Sequence, residues 1–293
     1  MANNYRHRSG DRDDGRLIHS LPAFFKFLPF IMKSRNDAQN FYEQSFETTN
    51  ADCWFEKQQS AGYKGIGMLD LFIAAYIRCV AALPGLNRFV SGRRIYARDN
   101  IEVVMSVKRG MSINSSETTI KIEFEPTDTV FDVYNKMNNA VENVKSSEDG
   151  NRIDELAEKF SKYPRFVVRF LLWLLNVADY FGLLPKKILD ASPFHGSMII
   201  SDLGSLCIGP IYHHTYNFGN LPVFISFGAK RQNYELDHKG VPVERNYVDA
   251  KFVLDERIVD SHYYATAFKY MNELIQNPEL LEVPPEMVKE DIF

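Results

Sequence analysis

The sequence predicts a single α/β domain in which helices pack on a mixed β-sheet, and two observations support this prediction. Helical and strand-like hydrophobic patterns follow one another closely along the 293 residues, without a repeat or a low-complexity linker. The composition, with 45% apolar and 25% charged residues, is typical of a chain that buries one large core. We therefore expect one domain over residues 17–293, preceded by a flexible charged tail at residues 1–16.

Several segments carry apolar residues at helical spacing. The predicted helices cover residues 68–83, 127–144 and 261–276; the second is capped by Thr127 or Asp128, and the third ends at Asn277-Pro278. Residues 156–189 contain further helical segments and are more apolar, so we interpret them as a helical insertion. The polar residues 37–48 fit either a helix or a connecting loop.

Strand-like patterns are shorter and are separated by turns. Residues 118–124 show the clearest case, because Ile120, Ile122 and Phe124 alternate with Lys121 and Glu123, as in a half-buried strand. The other predicted strands are residues 95–97, 101–108, 196–201, 223–227 and 247–255. A hairpin loop at residues 237–240 is expected between the last two strands.

Charge and cysteine content exclude several classes of function. A formal net charge of -4 argues against a general nucleic-acid surface. Cys53, Cys79 and Cys207 are an odd number and form no Cys-x-x-Cys pair, which favours free thiols in a reducing compartment. The N-terminus is polar and charged, unlike a signal peptide, so we expect a cytoplasmic protein.

Two apolar stretches need to be tested as membrane segments. Residues 21–32 are too short to span a bilayer. Residues 166–184 approach spanning length, but Arg169, Asn176 and Asp179 would form a polar stripe along one helical face. A buried or surface-lying amphipathic helix therefore explains this segment better than a spanning one. Contact with a membrane surface stays open as a minor alternative.

Four segments, in chain order, resemble one known family. They are Leu83-Pro84-Gly85-Leu86-Asn87 at a helix end, the run GSMIISDLG at 196–204, a buried strand ending in Gly-Ala at 223–229, and DERIVDS at 255–261. Together they resemble the catalytic domain of the 2-oxo acid dehydrogenase dihydrolipoyl acyltransferases, which is of the chloramphenicol acetyltransferase type. The resemblance covers roughly residues 60–281 and implies a two-layer fold assembled as a homotrimer.

The resemblance also implies a reaction and a set of site residues. In the family, a histidine takes the thiol proton of coenzyme A or dihydrolipoamide, and a serine stabilises the oxyanion. Ser201 matches that serine, and Asp260 matches an aspartate that binds an arginine and holds the turn. The histidine is replaced by Glu256, and a following glycine is replaced by Ser261. The family's active site lies between neighbouring subunits.

Two functions follow from Glu256 and are left open by the sequence. In the first, the protein transfers an acyl group between coenzyme A and a small acceptor, with Glu256 as an unusual base; an ordinary glutamate pKa of about 4.3 would have to rise for this task. In the second, Glu256 pairs with an arginine such as Arg257, and the homotrimer is a catalytically inactive binding or scaffold protein.

Coenzyme A is expected as a substrate and no covalently bound cofactor is predicted. Because no lipoyl domain precedes the segment, we expect no dehydrogenase complex.

Three histidines are further candidates for substrate binding. His213 and His214 are adjacent, so on an extended segment they point to opposite faces, and one of them could reach a pocket. His262 follows Glu256 at the start of the last helix. A metal site built from the His213-His214 pair with His195 is conceivable, but most loop histidines are solvated or hydrogen-bonded to the backbone. We therefore predict no metal.

Overall fold

The chain is described by a computed structural model that covers residues 8–108, 117–146 and 162–293. Its largest element is a six-stranded mixed sheet with the strand order β2-β9-β8-β7-β5-β6. The strands β5, β7 and β8 run parallel to one another, and the remaining neighbours are antiparallel. The strand bounds are β1 Gly15–Leu17, β2 Gln39–Glu47, β3 Arg88–Ser91, β4 Arg94–Arg98, β5 Ile101–Lys108, β6 Glu117–Phe124, β7 Met198–Asp202, β8 Val223–Leu236 and β9 Pro242–Asp255.

Helices cover one face of this sheet. Their bounds are α1 Ala23–Ile31, α2 Thr49–Ser60, α3 Met68–Ala82, α4 Val130–Ser146, α5 Arg165–Tyr180, α6 Lys186–Ala191 and α7 Ser261–Gln276. The central helix α3 contacts both α4 and α7, while α2 contacts α7 and β9. Alternate strand residues such as Ile200, Ile225 and Phe252 face these helices and are fully buried. The predicted α/β class, with a mixed sheet and packed helices, is confirmed.

The other face of the sheet is covered in part by the long connection between β7 and β8, and we call this side the open face. Residues 207–222 cross it without regular secondary structure. The Tyr212 ring contacts Phe41 of β2 at a centroid distance of 5.3 Å. The Ser226 hydroxyl of β8 donates a hydrogen bond to the Ile211 carbonyl. These contacts hold the connection against β2 and β8.

Within the segment expected to form a charged tail, the residues from Arg12 onward pack into the fold. Residues 1–7 lie outside the described part, but Gly15–Leu17 forms β1 and pairs with β4. Arg12 is buried, and its guanidinium lies 2.8 Å from Asp14 and 2.7 Å from Asp179 of α5. The alternating charges that suggested a solvated tail are therefore partners in a buried ionic network.

Other sequence predictions agree with the structure to different degrees. The helices at 68–83 and 261–276 and the hairpin at 237–240 are confirmed. Most of residues 37–48 form the edge strand β2 and not the expected helix or loop, and the first two residues end a short 3-10 helix. The cap of α4 is Thr129, not Thr127 or Asp128: the Asp132 N–H donates to the Thr129 hydroxyl at 3.3 Å.

The helical insertion predicted at 156–189 contains α5 and the start of α6, although residues 156–161 lie outside the described part. All described residues of α5 are exposed or half-buried except Asp179, which is buried. Within the described ranges, no helix is both long enough and apolar enough to cross a bilayer.

Candidate active site

The segment that resembles the histidine motif lies where β9 ends and the chain turns toward α7. Main-chain hydrogen bonds fix this turn: the Asp255 N–H donates to the Pro222 carbonyl at 2.9 Å, and the Glu256 N–H donates to the Ala38 carbonyl at 2.8 Å. Pro222 immediately precedes β8 and Ala38 immediately precedes β2, and these two strands flank β9. The sheet itself therefore determines where the backbone of Glu256 stands.

Asp255 is the acceptor at the centre of a buried ionic cluster. It is fully buried, and the Arg257 guanidinium binds both of its oxygens, with Nη2 at 2.6 Å and Nε at 2.8 Å. Arg35 approaches from the segment before β2, with Nε 3.5 Å from Asp255 Oδ2. Arg257 is thus the partner of Asp255. The alternative in which Arg257 neutralises Glu256 is wrong.

Glu256 is half-buried, and its carboxylate makes no hydrogen bond or ion pair among the described residues. Its charge acts on the buried Tyr264 of α7: burial, Asp255, Tyr76 and Glu256 all raise the pKa of that phenol. The Tyr264 hydroxyl stays protonated and donates to the Asp255 carbonyl at 2.9 Å. The turn therefore presents one carboxylate that is neutralised, Asp255, and one that has no counterion, Glu256.

Asp260 has a different role from the one the resemblance implied. It is exposed, and its carboxylate accepts a hydrogen bond from the Tyr263 N–H at 2.8 Å, which makes it the N-cap of α7. No arginine pairs with it in the described part of the chain, and Asp255 binds the arginines instead. Ser261 is the first residue of α7 and has no positive φ, so this position does not require a glycine.

Ser201 lies on β7 and points to the open face. Its neighbours Ile200 and Met198 face the helices, and alternation places Ser201 on the opposite side. It is half-buried, and among the described residues its hydroxyl has no hydrogen-bond partner. In the described part of the chain, no backbone group satisfies this hydroxyl, which leaves it available as a donor. In register beside Ser201 are Ser226 of β8 and then Lys251 of β9.

Ser201 and Glu256 lie far apart within one chain. The register pairs Ser201 with Ser226 and Ser226 with Lys251, while Glu256 stands five residues beyond Lys251 along the chain. Five extended residues span about 17 Å, and two strand spacings add roughly 10 Å across the sheet. One substrate carbonyl therefore cannot contact both side chains of the same subunit.

The three candidate histidines occupy different environments. The ring of His213 stacks on Phe224 at a centroid distance of 4.5 Å, and burial together with His214 lowers its pKa. Its Nε2 is buried and has no hydrogen-bond partner in the described structure. His214 and His262 are both exposed, the latter in the first turn of α7. His213 is therefore the histidine best placed on the open face.

His195 belongs to another cluster. It is buried, its Nδ1 lies 2.8 Å from the Ser192 hydroxyl, and its Nε2 lies 3.4 Å from Asp179. Asp179 also binds Arg12, so His195 is tied to the ionic network of the N-terminal segment. Over the described ranges, no group of three histidine, cysteine, aspartate or glutamate side chains is close enough to hold a metal ion.

Comparison with known proteins identifies the fold. No family model and no curated protein matches the sequence. Solved structures do match, and they align over nearly the whole chain. A probable dihydrolipoamide acetyltransferase from Listeria monocytogenes has a TM-score of 0.55 at 11% identity, covering 92% of this chain and 96% of that one. The cubic core of the pyruvate dehydrogenase multienzyme complex has a TM-score of 0.58 at 12% identity, covering 90% and 93%. Chloramphenicol acetyltransferase has a TM-score of 0.52 at 13% identity, covering 89% and 99%.

This chain has the chloramphenicol acetyltransferase fold. The fold that the four sequence segments implied is therefore confirmed, although sequence identity to these structures is low. Within this fold, Glu256 directly follows the end of β9. Ser201 lies near the end of β7 and points to the open face. The fold by itself does not establish an activity.

Sequence reasoning missed a basic pocket beside the Glu256 turn. The pocket has a volume of about 290 Å³, and its lining includes Lys33, Arg35, Arg93 and Arg257. Among the described residues, Asp179 is the one carboxylate in the lining. These residues come from four separate segments, and no sequence motif links them. The run Arg93-Arg94 in a hairpin was the single local signal, and it is too common to indicate a site.

Proposed function

We propose that this protein is an acyltransferase that moves an acyl group between coenzyme A and a small acceptor. The observation that carries the proposal is the half-buried Glu256 carboxylate. It has no counterion among the described residues and stands at the strand end where the related fold is expected to place its base. If Glu256 were a relic, Arg257 would be its natural partner, but Arg257 is fully engaged by Asp255. Coenzyme A and its acyl thioester are the proposed substrates, and no covalently bound cofactor is needed.

The proposed chemistry is a proton transfer coupled to acyl transfer. Glu256 removes the proton from the acceptor, and the acceptor atom then attacks the carbonyl carbon of the acyl thioester. The Ser201 hydroxyl donates a hydrogen bond to the oxyanion of the tetrahedral intermediate. When the carbon–sulfur bond breaks, the proton returns from Glu256 to the sulfur of coenzyme A. Asp260 supports this step only indirectly, because it caps the helix that follows the turn.

The separation of Ser201 and Glu256 favours an assembly in which neighbouring subunits share each site. We propose a homotrimer, as the family resemblance implies, in which Ser201 of one subunit meets Glu256 of the next. A small-molecule substrate would then bind between subunits, where His214 and His262 are exposed and could contact it. The resemblance to a dehydrogenase core does not extend to a dehydrogenase complex in this proposal.

His213 is a second candidate for the base. Its lowered pKa keeps the imidazole neutral at pH 7, and its buried Nε2 has no partner in the described structure. A neutral imidazole is a better base for a thiol than an ordinary carboxylate. Substitution of His213 and of Glu256 separately distinguishes the two bases.

The test is thioester consumption by the purified protein. A panel of acyl-coenzyme A thioesters is incubated with candidate acceptors, and release of the free thiol is measured. We expect Glu256→Gln to reduce turnover by at least about 100-fold, the usual size of a general-base effect. Glu256→His, which restores the family's residue, should retain or increase turnover. Glu56→Gln, an exposed carboxylate on α2, is the matched control and should leave turnover unchanged.

Other outcomes assign the function differently. A large loss with His213→Gln and none with Glu256→Gln would make His213 the base. Absence of thiol release by the wild type and by Glu256→His would reject the enzyme. The alternative function, a catalytically inactive homotrimeric binding or scaffold protein, would then apply, and Glu256→Gln should leave ligand affinity and stability nearly unchanged.

We also propose a reducing, cytoplasmic location for this activity. All three cysteines are free thiols: Cys79 is buried, and Cys53 and Cys207 are exposed. Exposed thiols persist where disulfide formation is disfavoured.

A further inference from the structure

Helices α1 and α5 expose large apolar side chains to solvent. In α1 the exposed fraction reaches 68% at Phe24 and 66% at Phe27, and in α5 it reaches 74% at Phe166 and 57% at Trp173. The same helices and the residues after α5 also expose Phe30, Ile31, Phe170, Leu172, Leu174, Phe181 and Leu183. Exposed apolar surface of this extent, rich in aromatic residues, marks an interaction surface.

Both helices end at the basic pocket, which therefore lies between the two apolar segments. Ser34 shortly follows α1 and Tyr180 ends α5, and both residues line the pocket. The Arg93 guanidinium lies 5.7 Å from the centre of the Phe30 ring. On the other side, the Tyr180 carbonyl packs so closely against Gly92 that no Cβ would fit there.

The pocket carries more positive than negative charge. Its single lining carboxylate, Asp179, is already bound by Arg12 at 2.7 Å. Lys33 and Arg93 have no carboxylate partner among the described residues. Arg35 is buried. Its Nε makes no hydrogen bond to a described residue, and this atom lies 3.5 Å from the Asp255 carboxylate. Burial, together with Arg257 and Arg98, lowers the pKa of Arg35 to about 10 in spite of Asp255. An anionic ligand would relieve this excess of positive charge.

The backbone holds Arg93 in an unfavourable conformation at the rim of this pocket. Gly92 and Arg93 connect β3 and β4, and both have positive φ, 54° and 59°. A glycine is favoured at such a position because a Cβ crowds the following carbonyl. A strained arginine in place of glycine indicates that its side chain is used there.

We propose that α1, α5 and the basic pocket form a membrane-binding surface, whose apolar side chains enter the bilayer interface and whose pocket holds the phosphate of an anionic phospholipid. Aromatic and leucine side chains on amphipathic helices bind at this depth without spanning the bilayer. Guanidinium groups match the geometry of phosphate oxygens and strengthen attraction to an anionic surface. The proposal concerns binding and does not depend on the proposed catalysis.

The experiment is flotation of the purified full chain with vesicles. Vesicles of phosphatidylcholine alone are compared with vesicles that also contain phosphatidylglycerol, at low and at high salt. We expect flotation with the anionic vesicles, weakened by salt. The double variant Phe170→Ala/Trp173→Ala should lower vesicle affinity at least about tenfold. Tyr234→Ala/Leu236→Ala, which removes comparably exposed residues from β8, is its control.

The pocket is tested by Arg93→Gly, which removes the charge and relieves the strained backbone, so loss of folding does not confound the result. We expect about a fivefold loss of affinity for the anionic vesicles, as for one basic side chain near the surface. Lys239→Gln, at the exposed tip of the β8–β9 hairpin, is the charge-matched control and should have no effect.

Several results would overturn the proposal. One is absence of flotation of the wild type with anionic vesicles. This result overturns the proposal even if calorimetry shows that free glycerol phosphate binds in the pocket, because that binding does not involve a membrane. Another is equal binding of the wild type to neutral and to anionic vesicles, together with unchanged binding by Arg93→Gly. This result would rule out a phosphate site in the pocket. A third is a change of assembly mass in the Phe170→Ala/Trp173→Ala variant without a change in flotation, which would assign the apolar surface to contacts between copies of the chain.

Discussion

At the scale of single residues, the centre of the candidate site is one buried carboxylate held by arginine. Asp255 binds Arg257 through two hydrogen bonds in a fork, and Arg35 contributes a second cation at longer range. Removing one partner of a buried ion pair is costly, because the remaining charge stays desolvated. By engaging Arg257, Asp255 leaves Glu256 without a counterion in the part of the chain that the structure describes. The chemistry proposed for Glu256 thus depends on its neighbour.

We predict that Arg257→Met lowers the free energy of unfolding by about 3–5 kcal/mol. The reason is that Asp255, fully buried, would keep the main-chain N–H of residue 257 as a donor at 3.1 Å, but only the more distant Arg35 as a cation. Arg231→Met is the control: Arg231 makes a similar fork to Asp249, with bonds of 2.8 and 3.0 Å, but is exposed. Arg231→Met should lower the free energy of unfolding by less than about 1 kcal/mol. Urea denaturation of both variants measures the difference, and equal losses would contradict a special role for burial.

At the scale of secondary structure elements, helices α3 and α4 each carry an aspartate in the first turn, and the two aspartates have opposite environments. At the start of α3, Asp70 accepts a hydrogen bond from the Gly67 N–H at 3.0 Å and is buried, and burial raises its pKa to about 6. At the start of α4, the exposed Asp132 accepts bonds from the Thr129 hydroxyl and N–H, and these bonds lower its pKa. The same capping position therefore has opposite pH behaviour in the two helices.

We predict that Asp70 makes the fold less stable as the pH rises from about 4 to about 6. The folded state binds the Asp70 proton more tightly than the unfolded chain does. The contribution of Asp70 protonation to the free energy of unfolding is therefore fully present below the ordinary pKa of 3.8 and is lost as the pH rises through the folded value of about 6. Relative to the wild type, Asp70→Asn should gain up to about 3 kcal/mol between pH 4 and pH 7. Unfolding free energies measured across this range test the prediction.

Asp132→Asn is the matched control for that experiment and should show the opposite sign. A lowered pKa means that Asp132 stabilises the fold above its ordinary pKa and loses this contribution as the pH falls. The difference between wild type and Asp132→Asn should therefore shrink under acid conditions. A shared pH dependence of the two variants would mean that burial does not separate the two caps.

At the scale of the whole molecule, the sheet determines which residues can act together. It places Ser201 on β7 and Glu256 after the end of β9, with β8 between these strands, and the two residues are too far apart for one substrate. A chain with this arrangement completes the proposed site only by contact with another copy. Closed symmetric assembly makes every such contact equivalent.

We predict complementation between two inactive variants. Ser201→Ala and Glu256→Gln should each be inactive alone, yet co-expression should restore activity, because one subunit supplies the intact glutamate and its neighbour the intact serine. For random mixing in a closed ring, about a quarter of the sites are intact, so about a quarter of wild-type turnover is expected. Thiol release by the co-purified mixture measures it. Complete inactivity of the mixture would reject the shared arrangement.

Predictability from sequence differs between elements for physical reasons. Helices α3 and α7 could be predicted closely, because their apolar residues recur at helical spacing and Pro84 and Pro278 follow their ends. The strand β2 could not, because it lies at the sheet edge and buries only Phe46. Its pairing with β9 supplies the order that its own side chains do not encode.

The same limit applies to the charged residues of the site. The sequence places Asp255, Glu256 and Arg257 side by side, but it cannot say which carboxylate the arginine binds. Arg35, more than 200 positions away, helps to decide that Asp255 is the buried one. Likewise, Arg12 resembled a residue of a solvated tail and is buried against Asp179.

The sequence by itself determined the fold class, the order of most elements and the positions of Ser201 and Glu256, because these depend on local periodicity and on short motifs. Only the tertiary structure decided that Glu256 has no counterion within the described ranges, that Ser201 lies far from it in the same chain, and that four cations gather in one pocket. Those features depend on which distant segments meet, and that is fixed by the packing of the sheet and not by any local pattern.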